Sequence, residues 1–425
     1  MDLFEDDDDS DEEESKASSP SLKPQQSLMT TSSSLCEKSS EEVCSLAEYW
    51  STEVMLPCAD VGPVVVRRSE QGGRGVFAAE DLVAGRRILV EEALFGWGDD
   101  SEVPLEARGA LAAQEQPHIR AILKKMHPMS LKDASPEAVE TARRRYGPYL
   151  PKDDDDALRL ALVAQFNGLD AGFFARICLF NHACGFAANC VRIDDFSGFD
   201  LELSDDAKKK RGTKKKASAS VYATRFVKGG EELVFGYEQP PESARATRRR
   251  RLKGRYDFHC RCAACENDER ENLRAPDLER ELAWLEKNKQ DSYDDAQGLQ
   301  DRILTILGPQ SPLALRSRRR VVNAALDQIL RSQSQGRHSE TTLQAFLDHA
   351  SRLLTQQRQA LGTDHLDVAA TAASVADLID ASFTTSGSNK DHQIIRDDCR
   401  ADANRILSLY SSSSPQAGVA ASGGE

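Results

Sequence analysis

The chain has 425 residues and a formal net charge of −14 at pH 7, a length that favours two domains with flanking tails. Residues 1–19 hold ten Asp or Glu against one Lys, a net of −9, which leaves −5 for the remainder. No run of eighteen apolar residues is present, so the composition excludes a membrane-spanning segment and a membrane partner. The acidic N-terminus is unlike a secretory signal, which predicts a location in the cytoplasm or the nucleus. There, the ten cysteines are expected as thiols or zinc ligands rather than disulfides.

The two ends of the chain lack the apolar content of a folded core. Residues 1–59 are predicted to be a disordered acidic and Ser-rich tail, and residues 411–425 a disordered Ser/Gly/Ala tail. The acidic segment has two interpretations, a solvating tail or an arm that contacts basic partners such as histones.

A β-rich unit is predicted from residue 60 onward, because short apolar segments alternate with turns about every ten residues. Strands are expected at Val64–Val66, Val76–Ala78, Arg87–Val90, Cys190–Ile193, Ser220–Arg225 and Glu232–Tyr237. The glycines of Gln71–Gly75 would let backbone approach a ligand closely. Dinucleotide-binding and P-loop sites are excluded, since neither glycine fingerprint is present.

Two segments interrupt this unit. Residues 98–156 are rich in Ala, Leu and charged residues and predict a helical insertion, followed by a helix over Ala157–Phe166 that leads to Asn167. Residues 197–218 predict a basic loop insertion that contains the run Lys208–Lys216. That run fits a nuclear-import or nucleic-acid patch, and equally an insertion that is only solvated.

Residues 266–410 predict a separate helical domain. The segments Ile303–Leu326 and Arg358–Leu378 share a helix–glycine–helix pattern with an offset of 54 residues. Such pairs are typical of tetratricopeptide (TPR)-like helical hairpins, which bind protein partners, although a plain helical bundle would give a similar pattern.

A zinc site is predicted from Cys260-x-Cys262-x-x-Cys265, because this spacing brings three thiolates into one turn. Tetrahedral zinc needs a fourth ligand. The nearest candidates by context are Cys184 and Cys190 in the dense polar stretch Asn181–Cys190, with His259 as another.

Four motifs in this order resemble the SET-domain protein lysine methyltransferases. They are Gly73-Arg74-Gly75-Val76-Phe77, Asn181-His182-x-Cys184, Gly230-Glu231-Glu232-Leu233 with Tyr237, and Tyr256-x-Phe258-x-Cys260-x-Cys262-x-x-Cys265. The last spacing and the helical C-terminus are most similar to the SET-and-MYND (SMYD) branch, without a MYND zinc finger. The resemblance covers roughly residues 60–265 and, more loosely, the helical region.

The resemblance implies an α+β protein. Residues 60–265 would form a SET fold, a β-clip with a knot-like crossing and a post-SET zinc site, followed by the TPR-like helical domain. It implies transfer of methyl groups from S-adenosyl-L-methionine to lysines of histone or non-histone proteins, by a monomer with structural zinc.

The resemblance also implies a role for each matching residue. Tyr237 would be the catalytic tyrosine, and Tyr256 would line the lysine channel. Cofactor contacts are expected from Gly73, Arg74, Asn167, Asn181, His182, Tyr237 and Phe258. The zinc ligands would be Cys184, Cys260, Cys262 and Cys265.

This sequence departs from the family pattern in the Asn181–Cys190 loop. Ala183 replaces a serine, the usual proline is absent, and two extra residues separate Cys184 from Asn189. These changes leave a second hypothesis open, a catalytically weak or inactive SET-fold adaptor that binds partners through its helices.

Overall fold

The computed structural model describes residues 60–96, 102–169, 172–195, 217–237, 243–266, 274–288, 293–309, 311–334, 340–383 and 390–411. Both predicted tails lie outside these ranges except for Ser411, which belongs to the last helix. The lysine run Lys208–Lys216 also lies outside the described residues. None of the described helices is both long and apolar enough to span a bilayer.

The first part of the chain is built from short strands. They are β1 (Asp60–Val61), β2 (Val64–Arg68), β3 (Arg74–Ala78), β4 (Arg87–Glu92), β5 (Phe95–Gly96), β6 (Gly172–Phe173), β7 (Asn181–His182), β8 (Cys190–Asp195), β9 (Ser218–Ala223) and β10 (Glu232–Phe235). One four-stranded sheet has the order β1-β4-β9-β8, and a second has the order β2-β3-β10-β7. Tyr237 lies just beyond β10, so the predicted last strand is two residues too long.

Helices fill the interval between β5 and β6. They are α1 (Leu105–Glu115), α2 (Pro117–Leu123), α3 (Pro136–Tyr146) and α4 (Asp155–Asn167). Helices α1 and α2 are separated at Gln116, because Pro117 has no N–H to continue the hydrogen-bond ladder and occupies the first position of α2 instead. Helix α4 is apolar on nearly every side and is buried in the main core beneath the sheets.

The rest of the chain is helical. Its elements are α5 (Arg245–Tyr256), α6 (Ala263–Glu266), α7 (Ala275–Lys287), α8 (Tyr293–Leu307), α9 (Pro312–Ser334), α10 (Glu340–Leu361), α11 (Leu366–Phe383) and α12 (Lys390–Ser411). The predicted glycine breaks are present, since α8 ends before Gly308 and α10 ends before Gly362. Successive helices from α9 to α12 pack against one another around a second core.

The helical region packs directly on strand β9. The rings of Tyr222 and Tyr410 meet edge to face with centroids 5.4 Å apart. Next to them, the turn at Gly85 lies against Leu409, so close that a Cβ at position 85 would be 2.4 Å from the Leu409 Cβ.

Replacing Gly85 with alanine should therefore destabilise the contact between sheet and helices. The φ of Gly85 is +78°, and the added methyl group would also overlap Leu409. We expect Gly85→Ala to lower the free energy of unfolding by roughly 2–4 kcal/mol in urea titrations. Gly308→Ala is the matched control, because Gly308 has a φ of +82° but no atom within 4 Å of its Cβ position. An equal loss in both variants would show that only backbone strain matters.

Candidate active site and cysteine cluster

The stretch Asn181–Cys190 is held against β10. Strand β7 pairs in parallel with β10, with Asn181 opposite Val234 and His182 opposite Phe235. Farther along, the Asn189 side chain accepts the Val234 N–H at 2.8 Å and donates to the Glu232 carbonyl at 2.8 Å. The loop therefore contacts β10 at two points, through β7 and through Asn189. Tyr237 lies two residues after the end of β10.

His182 connects Tyr237 to the cysteines. Its Nδ1 accepts the backbone N–H of Tyr237 at 3.0 Å, so the ring proton lies on Nε2, which is 3.1 Å from the Cys184 Sγ. Burial lowers the pKa of His182 to about 4, with Arg248 acting in the same direction against an opposing effect of Cys265. The ring is therefore neutral at neutral pH and donates to the Cys184 sulfur.

Tyr237 lies at the centre of an aromatic cluster. Its ring centroid is 5.0 Å from that of Tyr256 and 6.4 Å from that of Phe258. Its hydroxyl donates to the Phe180 carbonyl at 2.5 Å. Burial, reinforced by nearby acidic and phenolic groups including Tyr256, raises the pKa of Tyr237, so the phenol stays protonated.

Asp257 turns the chain from α5 toward this cluster. It ends the helix in the left-handed conformation, with φ of 58°, which aspartate tolerates better than most residues. Its carboxylate accepts the Ser135 N–H at 2.6 Å and the Ser135 hydroxyl at 2.8 Å, and it also pairs with Lys253. Tyr256 and Phe258 therefore reach the same cluster from either side of a fixed turn.

Four cysteines form one compact cluster. The sulfurs of Cys184, Cys260, Cys262 and Cys265 are buried and lie within 4.8 Å of one another. Cys184 is 3.8 Å from Cys260 and 3.6 Å from Cys265, far longer than a disulfide bond of about 2.05 Å. Zinc–sulfur bonds of about 2.3 Å in a tetrahedron require sulfurs roughly 3.8 Å apart. The spacing thus suits a metal ion such as zinc. Of the other candidates for the fourth ligand, Cys190 is buried in the main core and His259 is exposed outside the cluster.

The surroundings of Cys265 favour a thiolate, whereas hydrogen bonds among the sulfurs raise the pKa of Cys184. Hydrogen bonds from Cys184, then from Cys260 and Cys262, lower the pKa of Cys265, and the Arg248 guanidinium adds to this effect. Arg248 is itself buried, with Nη2 3.7 Å from the Cys265 Sγ. Backbone N–H groups also point at the sulfurs, since that of Cys184 donates to Cys262 at 3.4 Å. A metal bound to deprotonated ligands is the arrangement these contacts suit.

Asn181 joins the first glycine loop to strand β10. The Asn181 side-chain nitrogen donates to the Arg74 carbonyl at 2.9 Å and to the Glu232 carboxylate at 2.7 Å. Gly73 precedes this contact, and no atom lies within 4 Å of its Cβ position, so its backbone is open to a ligand. The Arg74 guanidinium donates to the Lys125 carbonyl at 2.9 Å, which ties the loop to the helical insertion.

Asn167 is the one predicted site residue with no described contact to the others. It is the last residue of α4, and its amide nitrogen donates to the carbonyls of His127 and Val163, both at 2.8 Å. These bonds satisfy the amide and close the end of the helix.

Three residues near the site had no role in the sequence analysis. Glu232 belongs to the motif Gly230-Glu231-Glu232-Leu233, but its position in the sequence does not show that it binds Asn181. Arg248 belongs to a basic segment, but its position does not show that it faces Cys265. Glu91 gives no sequence signal, because it is one of two adjacent glutamates at the end of β4.

Glu91 fixes the turn that leads to Phe180 and Asn181. Its carboxylate accepts the backbone N–H of Arg176 at 3.0 Å and of Ile177 at 2.9 Å. Burial raises the pKa of Glu91 to about 7, although the backbone N–H groups act to lower it. A carboxyl group that keeps its proton longer in the folded protein makes stability fall as pH rises.

Removal of a cluster cysteine should abolish metal binding. We expect the purified protein to hold a single zinc ion per chain, released on denaturation and measured with a colorimetric chelator. Cys265→Ser should lose it, with a lower melting temperature. Cys190→Ser is the matched control and should retain it. Zinc retained in Cys265→Ser, or lost in Cys190→Ser, would overturn this ligand assignment.

Glu91 should produce a measurable pH dependence of stability. Below pH 4.5 its carboxyl is protonated in both states, and between 4.5 and about 7 only the folded state keeps the proton. The stability contributed by Glu91 should fall by about 3 kcal/mol over that window and then level off. Urea unfolding of the natural protein and Glu91→Gln from pH 5 to pH 8 measures this, and parallel profiles for the two would contradict it.

Part of the site, up to Tyr237, lies within a region similar to a known domain family. A family model described as "SET domain" matches residues 73–238, from the glycine loop to one residue beyond Tyr237. No curated protein matches the sequence. One similar solved structure is titled "Crystal structure of the SET domain of LSMT bound to Lysine and AdoHcy". It is 11% identical, with 87% of this chain and 90% of that chain covered and a TM-score of 0.30.

Proposed function

We propose that the protein is an S-adenosylmethionine-dependent protein-lysine N-methyltransferase. The observation that carries this proposal is the cluster in which Tyr237, Tyr256 and Phe258 meet beside the four cysteines. The SET-domain match over residues 73–238 supports it, because it spans the open glycine loop, Asn181–His182 and Tyr237.

The cofactor would be held between the glycine loop and the aromatic cluster. The open backbone at Gly73 suits close approach of a ligand, and Arg74 is joined to Asn181 by a hydrogen bond. His182 and Phe258, with ring centroids 6.0 Å apart, offer an apolar wall for a flat base, and aromatic faces attract a sulfonium cation. Asn167 would contact the cofactor through its amide oxygen, because both of its amide donor bonds are directed at backbone carbonyls.

The residues around Tyr237 suit transfer to a neutral amine. The bound cofactor supplies the methyl group and takes the electron pair of the broken carbon–sulfur bond. Aromatic walls formed by Tyr237 and Tyr256 would desolvate the lysine ammonium, which lowers its pKa and frees the attacking lone pair. The Tyr237 hydroxyl donates to Phe180, so its oxygen lone pairs can accept an amine N–H and orient the nucleophile. Because its pKa is raised, Tyr237 acts by positioning rather than as a base.

The cysteine cluster would bind zinc as a structural site. Four protein ligands leave no open position, so the ion would take no part in the chemistry. Zinc would instead fix Cys260–Cys265 against Cys184, and with them Phe258 beside His182. We place the knot-like crossing where Asn181–Cys190 wraps β10 and assign the helices after α6 to a TPR-like partner-binding domain.

Tyr237→Phe tests the proposal directly. It removes only the hydroxyl, so methyl transfer should fall on the order of a hundredfold, while the dissociation constant for S-adenosylmethionine changes little. Transfer is measured with tritiated cofactor and a cell extract as the source of protein substrates, and binding by calorimetry.

Tyr149→Phe is the matched control, since Tyr149 is an exposed tyrosine after α3 and should leave both quantities unchanged. Cofactor binding without transfer to any protein would favour the adaptor hypothesis. Failure to bind the cofactor would overturn both the activity and the site.

A further inference from the structure

The segment that carries Tyr256, Phe258 and three of the cysteines is strongly basic. Residues 243–266 contain eight Lys or Arg and two Asp or Glu, a net of +6 in a chain whose net charge is −14. Five of these side chains, which we call the arginine surface, are exposed or half-exposed. They are Arg249, Arg250, Arg251, Arg255 and Arg261.

Within the described part of the chain, most of the arginine surface has no carboxylate partner. Among the described residues, Arg249, Arg250 and Arg261 form no ion pair, and Arg251 donates only to the Ser243 hydroxyl at 3.2 Å. The other basic groups of α5 are engaged, since Lys253 pairs with Asp257 and Arg248 faces Cys265.

Arginines of the helical region behave differently. In that region Arg316 pairs with Glu286, Arg358 with Asp402, Arg400 with Asp377 and Arg405 with Asp364. Arginines in the described helical region are thus commonly matched by carboxylates, and among the described residues the arginine surface is a local excess of positive charge. Such an excess attracts acidic partners and repels basic ones.

The arginine surface begins at the proposed lysine channel. The Arg255 guanidinium carbon is 5.2 Å from the Tyr256 ring centroid, and the Tyr256 ring is 5.0 Å from that of Tyr237. From Tyr256 back to Arg249, α5 covers roughly 10 Å at 1.5 Å per residue. An extended peptide spans that distance with about three residues. A substrate with its lysine at Tyr237 would therefore present its neighbouring residues to the arginine surface.

We propose that the arginine surface selects substrates whose target lysine lies in an acidic segment. This inference rests on the proposed function and names its substrate class, proteins with Asp or Glu within a few residues of the lysine. Guanidinium groups bind carboxylates through paired hydrogen bonds, so acidic residues gain specific contacts as well as attraction. Basic segments such as histone tails are disfavoured by the same charge.

The test compares short fluorescein-labelled peptides with a central lysine flanked by acidic, neutral or basic residues. The full chain is saturated with S-adenosylhomocysteine, and the dissociation constants are measured by fluorescence anisotropy at low and high salt. We expect the acid-flanked peptide to bind at least about tenfold more tightly than the basic one, with a preference that weakens as salt screens the charges. Transfer of tritiated methyl groups to each peptide is measured separately.

Variants with reversed charge test whether the arginine surface causes the preference for the acid-flanked peptide. Arg250→Glu with Arg251→Glu should abolish it and leave the neutral peptide unaffected. Arg250→Glu alone, which breaks no described side-chain contact, gives a second variant should the double change impair folding. Arg352→Glu with Lys390→Glu places the same charge change on exposed positions of the helical region and should preserve the preference.

The outcomes separate the inference from the activity. Methylation of all peptides without regard to flanking charge would overturn the inference and leave the methyltransferase intact. Selective binding of the acidic peptide without transfer to any peptide would support the surface and count against the activity. A single-stranded oligonucleotide that binds the same arginines more tightly than the acidic peptide would overturn the inference in favour of a nucleic-acid partner.

Discussion

His182 can serve both of its partners in only one protonation state. Its Nδ1 must be unprotonated to accept the Tyr237 N–H, so Nε2 carries the proton directed at the Cys184 sulfur. Burial ensures that state by holding the pKa of the ring near 4. The backbone at Tyr237 is thereby tied to Cys184, and Cys184 is placed by the same loop that pairs with β10. The position of the tyrosine depends on how the cysteine cluster folds.

Charge balance sets a second constraint on the same cluster. A zinc ion with four thiolates carries a net charge of about −2, which is costly to bury without compensation. Arg248 supplies a buried positive charge next to Cys265, and backbone N–H groups point at the other sulfurs. Arg248 therefore has a structural reason to be basic, whereas its exposed neighbours Arg250 and Arg251 do not. The exposed arginines of this helix are therefore available to contact a partner.

Local pattern and motif spacing predicted much of the architecture. Alternating apolar residues predicted the strands around Val76 and Val221, and the tight C-x-C-x-x-C spacing predicted three members of the cysteine cluster. Choosing Cys184 over Cys190 from the residues alone was not feasible, because the two are six residues apart in one loop and only its path around β10 separates their environments. The roles of Glu91 and Glu232 depend on partners 85 and 51 residues away in the chain, and that of Arg248 depends on its burial next to Cys265; none of these has a local signature. The family resemblance also placed Asn167 in the cofactor site, and that role stays a prediction; its amide nitrogen donates to the carbonyls of His127 and Val163.

The altered loop after Cys184 has a structural explanation in the helical region. Its extra length forms a short 3₁₀ turn at Gly185–Ala187, and that turn contacts helix α10. The end of the same helix lies next to β9, where the Cβ position of Gly362 is 3.7 Å from the Thr224 carbonyl. Thr224 in turn donates its N–H to the Asn189 carbonyl at 2.9 Å, at the far end of the loop. The loop that carries His182 and Cys184 is therefore supported at its turn by α10 and at its end by a residue packed beneath that helix. An expansion that departs from the family pattern thus joins the cysteine cluster to the helical region, and Cys184 and His182 retain their contacts with Cys265 and Tyr237.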